Sequence, residues 1–170
     1  MKNLIKYWPQ LLATSVFAVC LIILYCIIFY YLGVLPLGGK KAPSFVLVLI
    51  LQYLLVNKVF KTDSAHFLKI FAFQYIYILL IAIFSSVVLY FFYLSEIGLG
   101  VLNQYVQLSI SELQMYKSVI IEQEGIEYYK MLLNGINGID AGSIAKDDFT
   151  QKIVLAFLPN LLMSLYFKKN

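Results

Sequence analysis

Between Lys69 and Glu96 the chain runs for 26 residues without a charge. As a helix that stretch measures about 39 Å, enough to cross the ~30 Å hydrocarbon core of a bilayer with tilt. Three further apolar stretches accompany it. The predicted spans are 11–35, 43–60, 70–95 and 150–167. The composition agrees, with 62% hydrophobic residues, only 13% charged and a mean hydropathy of +0.84. A soluble domain carries about 25% charged residues, and half that share cannot cover a surface that faces water. The expected fold class is an all-α membrane protein with four transmembrane helices and an extracytoplasmic amphipathic helical subdomain between the third and fourth.

The spans differ in quality. Lys2 and Lys6 resemble the charged start of a signal peptide, but the apolar run after them is well past the 7–15 residues of a signal core, which predicts a retained span. Trp8 reads as an interface anchor, and Pro9 suits a first helical turn. Gly33, Pro36 and the Gly38–Gly39 pair predict a tight turn after the first span. The uncharged core of the second, 42–57, covers only about 24 Å, so Lys41 and Lys58 are expected to snorkel to the two interfaces. Asp63 or Ser64 is suited to cap the third helix. The uncharged part of the fourth, 153–167, covers about 22 Å. It calls for Lys152 to snorkel at one end and Lys168 and Lys169 at the other, with Asp147 and Asp148 favouring the helix start and Pro159 a kink.

Residues 96–149 have another character. Eight of the nine acidic residues fall between Glu96 and Lys152. Val106, Ile110, Leu113, Tyr116 and Ile120 recur at helical spacing, with Glu112, Lys117 and Glu122 among the polar positions. Gly125 interrupts, and Ile126, Tyr129, Leu132 or Leu133, and Ile136 predict a second, shorter amphipathic helix. The stretch 134–142, with three glycines and two asparagines, reads as a mobile turn-rich connection. The apolar stripe needs cover, from a leaflet, from a hairpin folded over the bundle or from a partner's helix. Net acidity disfavours adsorption to anionic lipid, which leaves a hairpin cap or a partner-binding surface, with Val106, Ile110, Leu113, Tyr116 and Ile120 as the candidate partner-binding stripe.

Lysine placement sets the expected orientation. Seven lysines flank the spans on the side of the termini and the middle connection, against Lys40, Lys41, Lys146 and Lys152 on the other. The positive-inside rule then places both termini in the cytoplasm and 96–149 in the periplasm, with the chain in a cell inner membrane.

For chemistry the sequence offers little. It has no arginine, which disfavours bidentate recognition of phosphate and makes nucleic acid an unexpected partner. Cys20 and Cys26, six residues apart in one helical run, lie on different faces and do not bridge each other. A single histidine, His66, and the lack of any metal-spaced cluster or glycine-rich phosphate loop predict no metal, no cofactor and no catalytic residue. Glu122, Glu124 and Glu127 read as a solvated face, and 134–140 lacks the spaced carboxylates of a calcium loop. With no ionisable residue in the middle of a span, an ion-coupled transporter is disfavoured. Thr14, Ser15, Gln52, Gln74, Ser85, Ser86, Asn160 and Ser164 are among the polar residues inside the spans. Such groups set helix register through interhelical hydrogen bonds. Gln52, Gln74 and Asn160 are also the candidates to line a polar intramembrane cavity.

Aligning 46–61 with 153–168 matches Leu51 to Leu158, Leu54 and Leu55 to Leu161 and Leu162, and Phe60 and Lys61 to Phe167 and Lys168. The pattern is that of a duplicated helical hairpin. The layout as a whole resembles a family of small four-span bacterial inner-membrane proteins frequent in the Bacteroidota. The resemblance is carried by the lysine-flanked first span, by Asp63, Ser64, Ala65, His66 and Phe67 at the entry to the third, and by the short closing span ending in Lys168 and Lys169. The glycines expected around Asp63 are missing. That family assigns no catalytic residues, so the resemblance implies none. The functional expectation is a non-enzymatic accessory or scaffold subunit in contact with the lipid bilayer and with a membrane or envelope protein partner, or a homo-oligomer. The alternative is a lipid- or small-solute-binding protein that uses the polar cavity.

Overall fold

Every regular element among the described residues is helical in the computed structural model, which describes residues 6–60 and 65–168. In chain order the helices are α1 (Trp8–Tyr31), a 3-10 turn (Gly38–Lys41), α2 (Ser44–Phe60), α3 (Phe67–Leu94), α4 (Glu96–Met115), α5 (Lys117–Glu124), α6 (Ile126–Asn137) and α7 (Ala141–Phe167). Four segments are long and apolar enough to cross a membrane: Trp8–Tyr31, Gly38–Phe60, Phe67–Leu94 and Ala141–Phe167. The chain divides into two units, 1–86 with 147–170, and 87–146. The expected cap at Asp63 or Ser64 lies outside the described residues, as do Lys2, Lys61 and Lys169.

In the first unit each long helix buries one face. On α1 the buried residues are Leu11, Ser15, Ala18, Val19 and Ile22, alternating threes and fours. On α2 they include Phe45, Val48, Gln52, Leu55, Val56 and Val59, and on α3 Ile70, Phe73, Gln74, Tyr77, Ile78, Ile81 and Ser85. Phe60 and Phe73 meet edge to face at 5.2 Å inside the shared core.

Helix α7 reverses the usual pattern. Within this unit its buried residues are Asp148, Lys152, Ala156, Asn160 and Ser164, every fourth position and none a large apolar side chain. Val154, Leu155, Phe157, Leu158, Leu162, Leu165 and Tyr166 are exposed. Water would strip such a helix from the bundle, because burial would cover its polar face and leave the apolar one wet. Lipid accepts the apolar face, while the small and polar residues let helices approach and bond.

The fourth membrane helix begins at Ala141, nine residues before the expected 150, and Lys152 does not snorkel. Asp148, four residues earlier on the same face, holds the ammonium inside the bundle. Lys41 is likewise turned inward onto Asp148, which corrects the expectation that it snorkels, whereas Lys58 is exposed.

In the second unit, α3 ends at a corner built by Ser95. Its hydroxyl donates to the Phe92 carbonyl at 2.6 Å and accepts from the Gly98 N–H at 3.2 Å, capping α4. A Cβ at Gly98 would land on the Phe92 carbonyl oxygen, so the corner needs glycine there. The expected continuous stripe helix is divided at Tyr116, and nothing in the residues around it marks the break. Gly125, at φ +89°, separates α5 from α6 as its spacing predicted. The stretch expected to be a mobile loop is instead helical to Asn137, and only 138–140 lie between helices. The reason is a reciprocal cap. Asp140 Oδ1 accepts from the Ser143 N–H at 2.6 Å, and Ser143 Oγ accepts from the Asp140 N–H at 2.8 Å. These bonds lower the Asp140 pKa, the Ser143 backbone bond most of all.

Candidate functional site

Two polar layers cross the first unit. The inner layer joins Gln52 of α2, Gln74 of α3 and Asn160 and Ser164 of α7, all fully buried. Gln52 Nε2 donates to Gln74 Oε1 at 2.9 Å and to Asn160 Oδ1 at 2.6 Å. Gln74 Nε2 donates to Ser164 Oγ at 2.8 Å and to the Asn160 carbonyl at 3.4 Å. The three amides singled out from the sequence are therefore brought together, and Ser164 joins them. Gln52 Oε1 and Asn160 Nδ2 are buried without a hydrogen-bond partner, one an acceptor and the other a donor.

The outer layer centres on Asp148. Lys41 Nζ and Lys152 Nζ both bond its Oδ1, the latter at 2.5 Å, and Ser85 Oγ donates to its Oδ2 at 2.7 Å. The side chains of Lys41, Asp148 and Lys152 are 12%, 6% and 7% exposed, which makes this a buried cluster of two cations and one anion. It was missed from the sequence, where all three residues read as flanking charges, and it places ionisable groups within the fourth helix long and apolar enough to cross a membrane. A hollow of about 20 Å³ adjoins it, lined by Lys41, Asp148 and Lys152 of the cluster together with Ser44, Phe45 and Gln151 among others.

The layers recur at a spacing of eleven or twelve residues. Eleven residues separate Lys41 from Gln52 and Gln74 from Ser85, while twelve separate Asp148 from Asn160 and Lys152 from Ser164. Eleven residues make three turns plus about 20°, so on α3 the two layers share a face. Twelve make three turns plus about 120°, so on α7 the buried polar face winds around the helix between the layers. The layers lie about 16–18 Å apart.

The other candidates lie elsewhere. On α4, Val106 and Ile110 are half-buried and Leu113 is buried; on α5, Ile120 is half-buried; Tyr116 between them is 57% exposed. Helices α4, α5 and α6 contact one another, and Lys117 lies over the Tyr129 ring at 5.5 Å. Glu122, Glu124 and Glu127 are exposed, Glu127 pairing with Lys130 at 2.9 Å. His66 is exposed, its carbonyl accepting from the Lys69 and Ile70 N–H groups at the start of α3. Cys20 and Cys26 are free thiols. Among the described residues no three His, Cys, Asp or Glu side chains are grouped to hold a metal. Compared with family models, curated proteins and solved structures, the chain matches none.

Proposed function

We propose that this chain is a non-enzymatic membrane subunit that presents the helices between its third and fourth spans to a membrane or envelope protein partner or to a second copy of itself. The observation that carries the reading is apolar exposure outside the four candidate spans. Met115 is 73% exposed, Met131 59% and Tyr116, at the break between α4 and α5, 57%, in a segment that no bilayer is expected to cover. Lysine placement supports an inner-membrane location with both termini cytoplasmic and 96–149 periplasmic. The resemblance to small four-span bacterial inner-membrane proteins points the same way. A photoreactive amino acid placed at Tyr116 and at Met131 in living cells tests it. A discrete adduct, heterologous or self, is expected at both sites. Absence of any adduct, with a monomer after mild extraction, would contradict it.

A second reading, binding of a lipid or small solute at Gln52, Gln74 and Asn160, is favoured by the orphan acceptor and donor buried there. Native mass spectrometry of gently extracted protein should then show a retained small molecule that a Gln74→Leu/Asn160→Leu variant loses. An identical mass profile for the two proteins would dismiss it.

A further inference from the structure

Two ammonium groups and one carboxylate leave the outer layer with an excess of one positive charge. The groups are nearly sealed from water, at 6–12% side-chain exposure. Each ammonium carries three N–H donors, and Lys41 and Lys152 each place one of them on the same oxygen, Asp148 Oδ1. Asp148 lines the hollow beside the two lysines, and its other carboxylate oxygen accepts from Ser85 Oγ. Ser44 Oγ is turned onto the Lys41 carbonyl at 2.8 Å, and Gln151 Nε2 onto Asp147 at 2.8 Å, so neither supplies negative charge. An uncompensated charge is costly at membrane depth, and water filling the hollow would satisfy donors without cancelling it.

We propose that Lys41 and Lys152 bind an anionic oxygen at this hollow, supplied by a lipid phosphate or by free phosphate. The hollow's volume of about 20 Å³ holds one water-sized atom. It therefore takes a single oxygen of a larger group, the remainder lying beyond the exposed rim residues Gln151 and Leu155. With that oxygen in place the layer becomes two cations against two anions. The site uses none of the residues of the docking surface or the amide layer, so it stands or falls independently of both readings above.

The test uses the full chain in a zwitterionic detergent, with phosphatidylglycerol, phosphatidylcholine or inorganic phosphate added in turn. Native mass spectrometry should show phosphatidylglycerol retained at least tenfold over phosphatidylcholine by the wild type. In Lys152→Met, which leaves a neutral Lys41–Asp148 pair, retention should fall to the phosphatidylcholine level. A second measurement needs no variant: acetylation of Lys41 and Lys152 in the wild type, read by peptide mass, should slow at least tenfold with the anion while exposed Lys117 is unaffected. Protection by phosphatidylglycerol but not by inorganic phosphate assigns the oxygen to a lipid headgroup. Protection by inorganic phosphate alone assigns it to a free anion. If neither anion protects either lysine, the site does not exist.

Discussion

Gln52 and Asn160 stand 108 residues apart in the chain and meet through a hydrogen bond of 2.6 Å. Lys41 and Asp148 meet across an offset of 107. A nearly constant offset means that the segment formed by the 3-10 turn and α2 runs parallel to α7. Against α3 it is the sum of positions that stays nearly fixed, as between Gln74 and Asn160 and between Ser85 and Asp148, so α3 runs antiparallel to α7. Three helices are thus locked in one register by two polar layers.

The inner layer should behave as a coupled unit. Gln74→Leu leaves Gln52, Ser164 and the Asn160 carbonyl each short of a partner, and is expected to destabilise the bundle by about 1–3 kcal/mol. A Gln52→Leu/Asn160→Leu double-mutant cycle should return a coupling of about 0.6–1.7 kcal/mol. Unfolding in mixed micelles measures both. Strict additivity would mean that these amides do not bond each other.

The outer layer should respond asymmetrically. Asp148→Asn leaves two buried cations facing each other and is expected to cost about 3–5 kcal/mol, or to abolish accumulation in the membrane. Lys41→Met and Lys152→Met each leave a neutral pair and should cost well under half as much. Thermal unfolding of the three variants in one detergent ranks them. Equal losses would show that the cluster is not ionic.

The corner at Ser95 makes a contrast between two nearby glycines. At Gly98 a methyl group would strike the Phe92 backbone, so Gly98→Ala should cost about 1–3 kcal/mol. Nothing lies within 4 Å of a Cβ at Gly100, and Gly100→Ala in mid-helix should be neutral or stabilising by about 0.5–1 kcal/mol. Midpoint temperatures of the two variants check the sign.

How far the sequence carries depends on which side chains speak. Four spans follow from the absence of charge, and the amides at Gln52, Gln74 and Asn160 stand out because apolar runs tolerate few of them. The start of the fourth span was hidden because Asp148 and Lys152 look like boundary charges, and only their pairing with each other and with Lys41 makes them interior. Hydrophobic periodicity is blind to α7's buried face, since that face is Asp148, Lys152, Ala156, Asn160 and Ser164. Asp140 and Ser143 carry the three-residue spacing of a cap, masked by the glycines around them. The break at Tyr116 has no counterpart in the residues themselves.

That cap titrates. Hydrogen bonds from Ser143 hold the Asp140 carboxyl below the usual carboxylate range, so its contribution is complete above the unfolded value near 4 and is lost as the pH falls through the lower folded value. Hydrogen exchange at the first turn of α7 should accelerate only in acid below about pH 4. Asp140→Asn, which still caps, should remove most of that dependence. An unchanged acid profile in the variant would show that the carboxyl is not the titrating group.

The parallel register of α2 and α7 within a membrane bundle is tested most directly by crosslinking in native membranes. With Cys20 and Cys26 replaced by serine, a Gln52→Cys/Asn160→Cys chain should crosslink rapidly with a thiol-bridging metal, in the fraction released only by detergent. A Gln52→Cys/Leu165→Cys control should stay open. Crosslinking of the control in preference to the test pair, or recovery of the chain in the soluble fraction, would contradict the fold described here.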